Sequence, residues 1–532
     1  MFREGFVADP CLCAAHRRGR LVLIAGALLA VLAAAGPGQA RPLRLDPARA
    51  SIAQLQQAMD RGRLTAEALT RFYLARIARL DRAGPGLHAV IALNPDALAE
   101  ARALDRERKV QGPRGPLHGI PILVKDNIET ADPTPTTAGS LALAANISGQ
   151  DAPVIARLRA AGAVILGKTN LSEWANFRSA HSISGWTAVG GLVKNPYALD
   201  RSACGSSSGS AAAVAAGLAA AAVGTETDGS VTCPSSMAGL VGLKPTHGVL
   251  STARIVPISH SQDTPGPMAR SVADAALLFE IMAGQPVAAP AGSLAGVRLG
   301  VLRFPSGVEP EVVPLYAAAL DRLKAAGATL VEVAMPDESV IDRDEGVVLD
   351  TEFKADIAAY LAAAPTAVKT RSLADLIAFD AATPAEMALF GQDIFLDAEK
   401  TKGLDDPAYK AALVESERLA GPEGVDKVLA ANRLDALVAP TTGPAWRIDL
   451  IDGDHSPASS TTYPAVAGYP HLTVPMGLVK GLPAGLSFIG TKGADVRLLA
   501  LGAAFERTGP GFSPPTFSRS LDPGLTPPPS RP

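Results

Sequence analysis

Residues 204–246 read CGSSSGSAAAVAAGLAAAAVGTETDGSVTCPSSMAGLVGLKPT and are the most informative stretch of this chain. The small-residue run Ser210–Ala216 predicts a closely packed helix, and the apolar run Ala219–Gly224 predicts a buried strand that returns along it. A serine-rich turn containing Ser206 precedes the helix, and Ser230 follows the strand. The helix and its returning strand are therefore expected to bring these two serines together.

Predicted helices and strands alternate on both sides of this stretch. The predicted strands are Ile120–Val124, Ala163–Leu166, Gly296–Leu302, Thr329–Val333 and Ala436–Ala439. The predicted helices are Ile52–Arg61, Ala66–Arg82, Asn94–Lys109, Ala152–Ala161 and Leu315–Ala326, with Ser51 and Thr65 as N-caps of the first two. This alternation predicts an α/β fold with one large domain, whose twisted mixed β-sheet is covered by helices on both faces.

The overall composition is that of an ordinary globular protein. Of the 532 residues, 48% are hydrophobic and 19% are charged, and the net charge is −3. A chain without a basic field has no electrostatic means of binding a polyanion, so no nucleic-acid partner is expected.

The first 40 residues have the pattern of a secretory signal peptide. A basic cluster at Arg17–Arg20 precedes an apolar run from Leu21 to Ala35, and small residues lead to a predicted cut after Ala40. The apolar run is shorter than the roughly 20 residues that span a bilayer, so no stable membrane anchor is expected. The sequence thus predicts a periplasmic or secreted protein, with the Sec and twin-arginine routes both open.

The remaining chain is divided into one domain, residues 41–510, and a C-terminal segment, residues 511–532. That segment is rich in proline and has no periodic apolar face, so it is predicted to be a disordered tail. Outside the signal peptide the chain has two cysteines, Cys204 and Cys233. Small buried thiols are the preferred interpretation, and a disulfide between them, which an oxidising compartment would allow, stays open.

Two short motifs match known catalytic patterns but lack the structural context that those patterns need. Residues 162–169 fit the P-loop expression, in which a strand comes before the first glycine. Here a predicted helix precedes Gly162, and the residues between Gly162 and Gly167 are themselves the predicted strand. Residues 205–209 fit the nucleophile elbow G-x-S-x-G, with Ser207 as its serine, but the segment before them is polar and turn-like. Neither nucleotide binding nor an elbow nucleophile is predicted.

Histidine is scarce, and no pair of histidines has the spacing of metal ligands. We interpret four of the histidines as residues packed in the core or at the rim of a site rather than as metal ligands: His118, His181, His247 and His260. No metal or cofactor is therefore expected, and a serine nucleophile needs a different base.

Lys125 stands at the end of a buried apolar strand, where it could serve as that base, although a lysine at the end of a strand more commonly reaches solvent. A lysine accepts a proton only when it is neutral, which requires burial to lower its pKa. Asp126 and Asp228 would oppose this change if they were close, so both are expected to point away or to be hydrogen-bonded elsewhere.

The stretch quoted at the outset resembles the signature of the amidase signature family, whose members hydrolyse carbon–nitrogen amide bonds. The resemblance extends from about residue 51 to residue 508. It implies a Ser–Ser–Lys triad, with Ser230 as nucleophile, Ser206 as bridging serine on a cis peptide after Gly205, and Lys125 as base.

The same resemblance implies an oxyanion hole made of backbone N–H groups. These belong to Thr227, Asp228, Gly229 and Ser230. Ser207 could orient the catalytic hydroxyls or only stabilise a local turn. The aromatic candidates for lining a peptide groove are Trp174, Phe177, Trp186 and Trp446, although packing in a core is the commoner role of such residues.

Some positions depart from the common family form and resemble the bacterial peptide amidases, which remove the C-terminal amide of peptides. Asp228 replaces a glycine and Thr232 replaces an arginine. The likeness extends to residues 170–177, 183–186, 257–275, 439–446 and 463–477. It implies release of ammonia from peptide amides. A broad aliphatic or aryl amidase and, less favoured, a catalytically silent binding protein on the same scaffold remain open alternatives.

Overall fold

The computed structural model describes residues 45–286, 292–303, 310–455 and 458–522. The chain divides into Met1–Asp46 and Pro47–Pro532, and the second of these is one compact unit. The predicted signal peptide, residues 1–40, lies outside the described residues.

A mixed sheet of eleven strands forms the centre of the compact unit, and the short strands Trp186–Thr187 and Gly191–Leu192 make a separate two-stranded sheet. The strands are β1 Val90–Leu93, β2 Pro121–Lys125, β3 Val164–Thr169, β4 Trp186–Thr187, β5 Gly191–Leu192, β6 Ala221–Glu226, β7 Val241–Lys244, β8 Thr264–Ala269, β9 Arg298–Leu302, β10 Thr329–Val333, β11 Ala436–Pro440, β12 His471–Val479 and β13 Leu482–Ile489. Their order across the large sheet is β1-β3-β2-β6-β8-β7-β12-β13-β11-β9-β10.

The sheet combines two parallel regions with an antiparallel centre. Strands β3, β2 and β6 are parallel to one another, as are β11, β9 and β10. The pairs from β6 through β8, β7, β12 and β13 to β11 are antiparallel. The predicted α/β fold with a mixed sheet is confirmed.

The α-helices of the described residues surround this sheet. They are α1 Ile52–Asp60, α2 Ala66–Arg76, α3 Ala97–Gln111, α4 Pro153–Ala160, α5 Ser208–Ala215, α6 Thr232–Met237, α7 Val272–Ala283, α8 Val312–Ala325, α9 Ser339–Ala363, α10 Leu373–Ala382, α11 Asp393–Glu399, α12 Pro407–Ala420, α13 Lys427–Asn432, α14 Thr462–Val466 and α15 Asp495–Glu506. The Ser51 and Thr65 side chains cap α1 and α2 as predicted, each accepting a backbone N–H of the first turn. The second predicted helix is shorter than expected, because α2 is followed by a π-helical turn, Ile77–Asp81.

The small-residue helix α5 is buried along its whole length beside the sheet. Close approach explains its composition, because a Cβ atom at Gly209 would lie 2.3 Å from the carbonyl oxygen of Ala89. Helix α5 and strand β6 are both fully buried, so the chain segments at their ends are held at fixed positions.

The C-terminal segment differs from the prediction of a disordered tail. Its residues 511–522 lie along the domain, where the Phe517 N–H donates to the Pro196 carbonyl and the Leu199 N–H donates to the Ser518 carbonyl, both at 2.9 Å. Irregular backbone hydrogen bonds of this kind leave no apolar periodicity in the sequence, which is why the pattern missed them. Residues 523–532 lie outside the described part of the chain.

Two further predictions concern motifs and membranes. The apparent P-loop is strand β3 and the turn before it, and the Lys168 amine donates to the Ile128 carbonyl oxygen at 2.6 Å inside the core. This lysine is therefore not available to a phosphate, as the sequence context indicated.

Within the described ranges, no helix combines the length and the apolar character that crossing a membrane requires.

Candidate active site

Lys125 is the last residue of β2, and its side chain is completely buried. Because β2 and β6 are parallel neighbours, their carboxyl ends place Lys125 beside Thr225. The Lys125 amine donates to the Ser206 hydroxyl at 2.7 Å, to the Thr225 hydroxyl at 2.8 Å and to the Thr225 carbonyl at 3.3 Å. The lysine is thus joined to the serine turn that precedes α5.

Burial lowers the pKa of Lys125 from 10.5 to about 7. The negative charges of Asp263 and Glu226 act in the opposite direction and raise the pKa. The balance leaves the amine able to exist in both protonation states near neutral pH, as a general base requires.

The two carboxylates that the sequence placed near Lys125 are engaged elsewhere, as expected. Asp126 accepts a hydrogen bond from the Thr137 N–H at 3.1 Å and lies 3.9 Å from the Lys168 amine. Asp228 lies beside the hydroxyl groups of residues 461 and 462. The carboxylates that do act on Lys125, Asp263 and Glu226, were not identified from the sequence.

The peptide bond between Gly205 and Ser206 is cis, as the resemblance implied. A Cβ atom at position 205 would lie 2.1 Å from the Ser172 hydroxyl oxygen, so any residue other than glycine would displace that side chain. The Ser206 carbonyl accepts the Ser172 N–H at 3.0 Å, and the Ser206 hydroxyl faces Lys125. This turn therefore holds the Ser206 side chain against the amine.

Ser230 lies in the turn between β6 and α6, at the wall of a cavity of about 430 Å³. The Ser207 N–H donates to the Ser230 carbonyl at 3.1 Å, which joins this turn to the one that carries Ser206. The hydroxyls of Ser206 and Ser230 make no hydrogen bond to each other in the described chain. Catalytic contacts of this type commonly tighten only when substrate is bound.

The backbone of the same turn presents unpartnered N–H groups to the cavity. Among the described residues, no acceptor binds the N–H groups of Asp228, Gly229 or Ser230. Gly229 has a left-handed φ of 74°, a conformation that glycine adopts without steric cost. The turn can thus offer several N–H donors to a developing oxyanion.

Two buried carboxylates fix this turn. Glu226 accepts the N–H groups of Val231 at 2.7 Å and Thr232 at 2.8 Å. Asp263 accepts the Thr227 hydroxyl at 2.6 Å and the Ile258 N–H at 2.8 Å. Both acids lie in stretches that carry the family resemblance, but their bracing role depends on contacts that a sequence does not show.

Ser207 contacts the residue that also binds Lys125. Its hydroxyl donates to the Thr225 carbonyl at 3.1 Å and accepts the Thr225 N–H at 3.2 Å. Of the two roles considered, orientation of the catalytic network has the better geometric support, because Thr225 is the shared partner of Ser207 and the lysine.

Cys204 and Cys233 form a disulfide, so the interpretation as free thiols was wrong. The approach of the Ser206 turn to α6 brings the two Cα atoms to 6.2 Å, within the range that disulfides span. Both cysteines line the cavity. The bond therefore ties the turn that holds Ser206 to the helix that follows Ser230.

Two of the four aromatic candidates line the cavity, and the other two have the alternative role of packing in apolar clusters. Phe177 and Trp446 line the cavity, and the Trp446 indole donates to Asp454 at 3.2 Å. Trp174 is instead packed edge-on against Phe395 in a separate apolar cluster. Trp186 likewise packs against Phe390 away from the cavity. Sequence spacing cannot distinguish these two environments.

Two groups of side chains in the described ranges have the arrangement of metal ligands. They are His260, Glu352 and Asp356, and the loop residues Asp449, Asp452 and His455. The Glu352 carboxylate already accepts hydrogen bonds from Ser261 and Tyr409. None of the six residues lines the cavity at Ser230, so no catalytic step is assigned to a metal there.

A family model of amidases matches residues 68–499. The chain belongs to the amidase family. Its compact unit has the amidase signature fold, and the protein is an amidase, a hydrolase of amide bonds.

Similar proteins come from several branches of this family. The crystal structure of native peptide amidase from Stenotrophomonas maltophilia is 50% identical, with a TM-score of 0.83 over 88% of this chain and 98% of that chain. A probable amidase of Arabidopsis thaliana is 39% identical over 508 residues, which cover 90% of this chain and 94% of the relative. A glutamyl-tRNA(Gln) amidotransferase subunit of Symbiobacterium thermophilum is 35% identical over 497 residues, which cover 86% of this chain and 96% of the relative.

Proposed function

We propose that this amidase releases ammonia from C-terminally amidated peptides by a Ser–Ser–Lys acyl-enzyme mechanism. The observation that carries the mechanism is the 2.7 Å contact between the buried Lys125 amine and the Ser206 hydroxyl, next to the cavity that holds Ser230. The 50% identity to a peptide amidase, against 35% to an amidotransferase, favours the peptide amide as substrate.

The hydrogen bonds of Lys125 indicate how the proton moves. A neutral amine has two N–H groups and one lone pair, and the Thr225 hydroxyl and carbonyl oxygens can accept both N–H groups. The lone pair is then directed at the Ser206 hydroxyl, which can donate its proton to the lysine. Ser206 in turn takes the proton of Ser230 as that oxygen attacks the amide carbon.

The second half of the reaction returns this proton. Ser206 donates it to the leaving nitrogen, ammonia departs, and water hydrolyses the ester at Ser230. The N–H groups of residues 228–230 stabilise the negative oxygen in both tetrahedral states. Loss of one such donor in a hydrolase typically raises the barrier by about 3–4 kcal/mol, which gives the scale of this contribution.

The test of the proposed function is ammonia release from amidated peptides, measured with the wild type and with Ser230→Ala. We expect the wild type to be active and the variant to be inactive with unchanged folding. A series of simple aliphatic and aryl amides serves as the control substrates. Equal kcat/KM for simple and peptide amides would indicate a broad amidase instead, and no activity with no fluorophosphonate labelling of Ser230 would indicate a silent binding protein.

We also propose that the protein is exported after removal of residues 1–40. The N-terminal pattern supports this, and so does the Cys204–Cys233 disulfide, because such bonds persist mainly in oxidising compartments. N-terminal sequencing of the protein from cell fractions is expected to begin at Arg41 in the exported fraction. A cytoplasmic protein beginning at Met1 would contradict this proposal.

A further inference from the structure

A turn at the edge of the cavity has an unusual backbone conformation. Trp174, Ala175 and Asn176 have successive φ angles of 50°, 54° and 73°, all in the left-handed region. Left-handed residues other than glycine are uncommon, and strained backbone of this kind is concentrated at functional sites. The Trp174 N–H donates to the Ala138 carbonyl at 2.9 Å, and the Phe177 N–H donates to the Trp174 carbonyl at 3.1 Å, so the turn is firmly held.

Asn176 lines the cavity that contains Ser230. Its Oδ1 atom is buried and accepts no hydrogen bond within the described residues. Buried acceptors nearly always have a partner, so an unpartnered one on a residue that lines a substrate cavity indicates an amide group that a bound ligand can satisfy after rotation about its terminal bond.

Most other polar side chains of the cavity are already engaged. The Thr227 hydroxyl binds Asp263, and Asp454 accepts the Ser184 N–H and the Trp446 indole. Their hydrogen-bonding capacity is largely committed to the protein itself, which leaves few groups free for a substrate.

Two further residues that line the cavity carry a buried, unpartnered side-chain atom, Asp228 Oδ1 and Thr442 Oγ1. A carboxylate can only accept when ionised, and a hydroxyl donates and accepts at one atom. Asn176 alone of the three carries an acceptor and a donor on neighbouring atoms. That arrangement matches the N–H and C=O groups of a peptide unit.

We propose that Asn176 is a specificity-determining residue that hydrogen-bonds the peptide group preceding the scissile amide. The preferred substrate is accordingly an N-acylated amino-acid amide rather than a simple amide. This inference rests on the proposed function. In that function the scissile carbonyl oxygen accepts hydrogen bonds from the N–H groups of residues 228–230, and the preceding peptide group of the substrate then reaches Asn176.

The test compares two substrates that share a side chain and a scissile amide. N-acetyl-leucinamide carries the extra peptide group, and 4-methylpentanamide lacks it. Asn176→Gly removes the side chain, and because glycine adopts a left-handed φ freely, the turn is retained. We expect kcat/KM for N-acetyl-leucinamide to fall about 10- to 100-fold and that for 4-methylpentanamide to change less than about threefold.

Two further variants separate the hydrogen bond from the backbone. Asn176→Asp keeps an acceptor of the same shape, so its loss on N-acetyl-leucinamide should be smaller than that of Asn176→Gly. Ala175→Gly relaxes the same turn but removes only a methyl group, and is expected to change both kcat/KM values by the same factor. If Asn176→Gly also lowers both values equally, its role is structural and the inference is overturned.

The inference and the proposed function fail in different ways. If the wild type prefers N-acetyl-leucinamide and Asn176→Gly keeps that preference, the assignment of Asn176 is wrong and the peptide amidase activity stands. If the wild type shows no preference between the two substrates, the proposed peptide specificity itself is wrong.

Discussion

Replacement of Lys125 by methionine is expected to make the protein more stable at neutral pH while abolishing its activity. The side chains have similar length, so methionine can fill the space of the buried lysine without the amine. The expected gain arises because the folded state holds Lys125 in surroundings that disfavour its charged form. Stability is given up for function at many active sites, and this residue allows that loss to be measured.

The magnitude follows from the pKa values. Burial lowers the pKa of Lys125 from 10.5 to about 7, so keeping this group in the folded state at pH 7 costs about 4 kcal/mol of unfolding free energy. The variant loses the hydrogen bonds to Ser206 and Thr225, which together cost about 1–3 kcal/mol. The net expected gain at pH 7 is therefore about 1–3 kcal/mol.

The pH dependence has a definite sign. Between pH 7 and pH 9.5 the unfolded chain binds more protons at residue 125 than the folded chain does, so wild-type stability rises with pH. The cost of the lysine falls to about 1–2 kcal/mol at pH 9.5, and the advantage of Lys125→Met should decrease by about 3 kcal/mol over this interval. Taking the difference between the two proteins cancels the titration of all other groups.

Urea unfolding followed by tryptophan fluorescence at the two pH values provides the measurement, with equal m-values as the check that the transitions are comparable. A stability difference that does not change with pH would show that Lys125 titrates at its ordinary pKa. In that case it is protonated at neutral pH and cannot serve as the base, and the reasoning is refuted.

Three further predictions concern neighbouring features. Asp263→Asn removes a negative charge that raises the pKa of Lys125. In a profile of kcat/KM against pH, the rise that is expected near pH 7 in the wild type should therefore move to lower pH, and a move to higher pH would contradict this electrostatic effect. Replacing Cys204 and Cys233 together by alanine should lower the unfolding free energy by about 3–4 kcal/mol in denaturant titrations, because the bond closes a loop of 29 residues; unchanged stability would mean that the bond does not form in solution. Trp186→Ala should destabilise the protein by about 3–5 kcal/mol and leave KM unchanged, whereas a raised KM at full stability would show that this residue contacts the substrate.

Much of the fold was predictable because local pattern and burial agree along the central strands. Strand β6 and helix α5 consist mostly of small residues and are buried at every position, and such segments have few alternatives to the packed core. The tail at residues 511–522 was not predictable, because its attachment depends on backbone hydrogen bonds to an irregular loop.

The candidate site was predictable in part for a similar reason. Lys125, Ser206 and Ser230 lie at the ends of buried elements, so their positions follow from the order of those elements. The disulfide and the bracing acids Glu226 and Asp263 depend on distances between separate turns, which no pattern in one sequence reports.

The identity of the nucleophile is the central claim, and covalent labelling tests it most directly. The enzyme is quenched with acid during turnover of N-acetyl-leucinamide, digested, and searched by mass spectrometry for a peptide that carries the N-acetyl-leucyl group. The acyl group is expected on Ser230 in the wild type, and on no residue in Ser230→Ala. An acyl group on Ser207 or Ser206 in the wild type would contradict the assignment of the nucleophile.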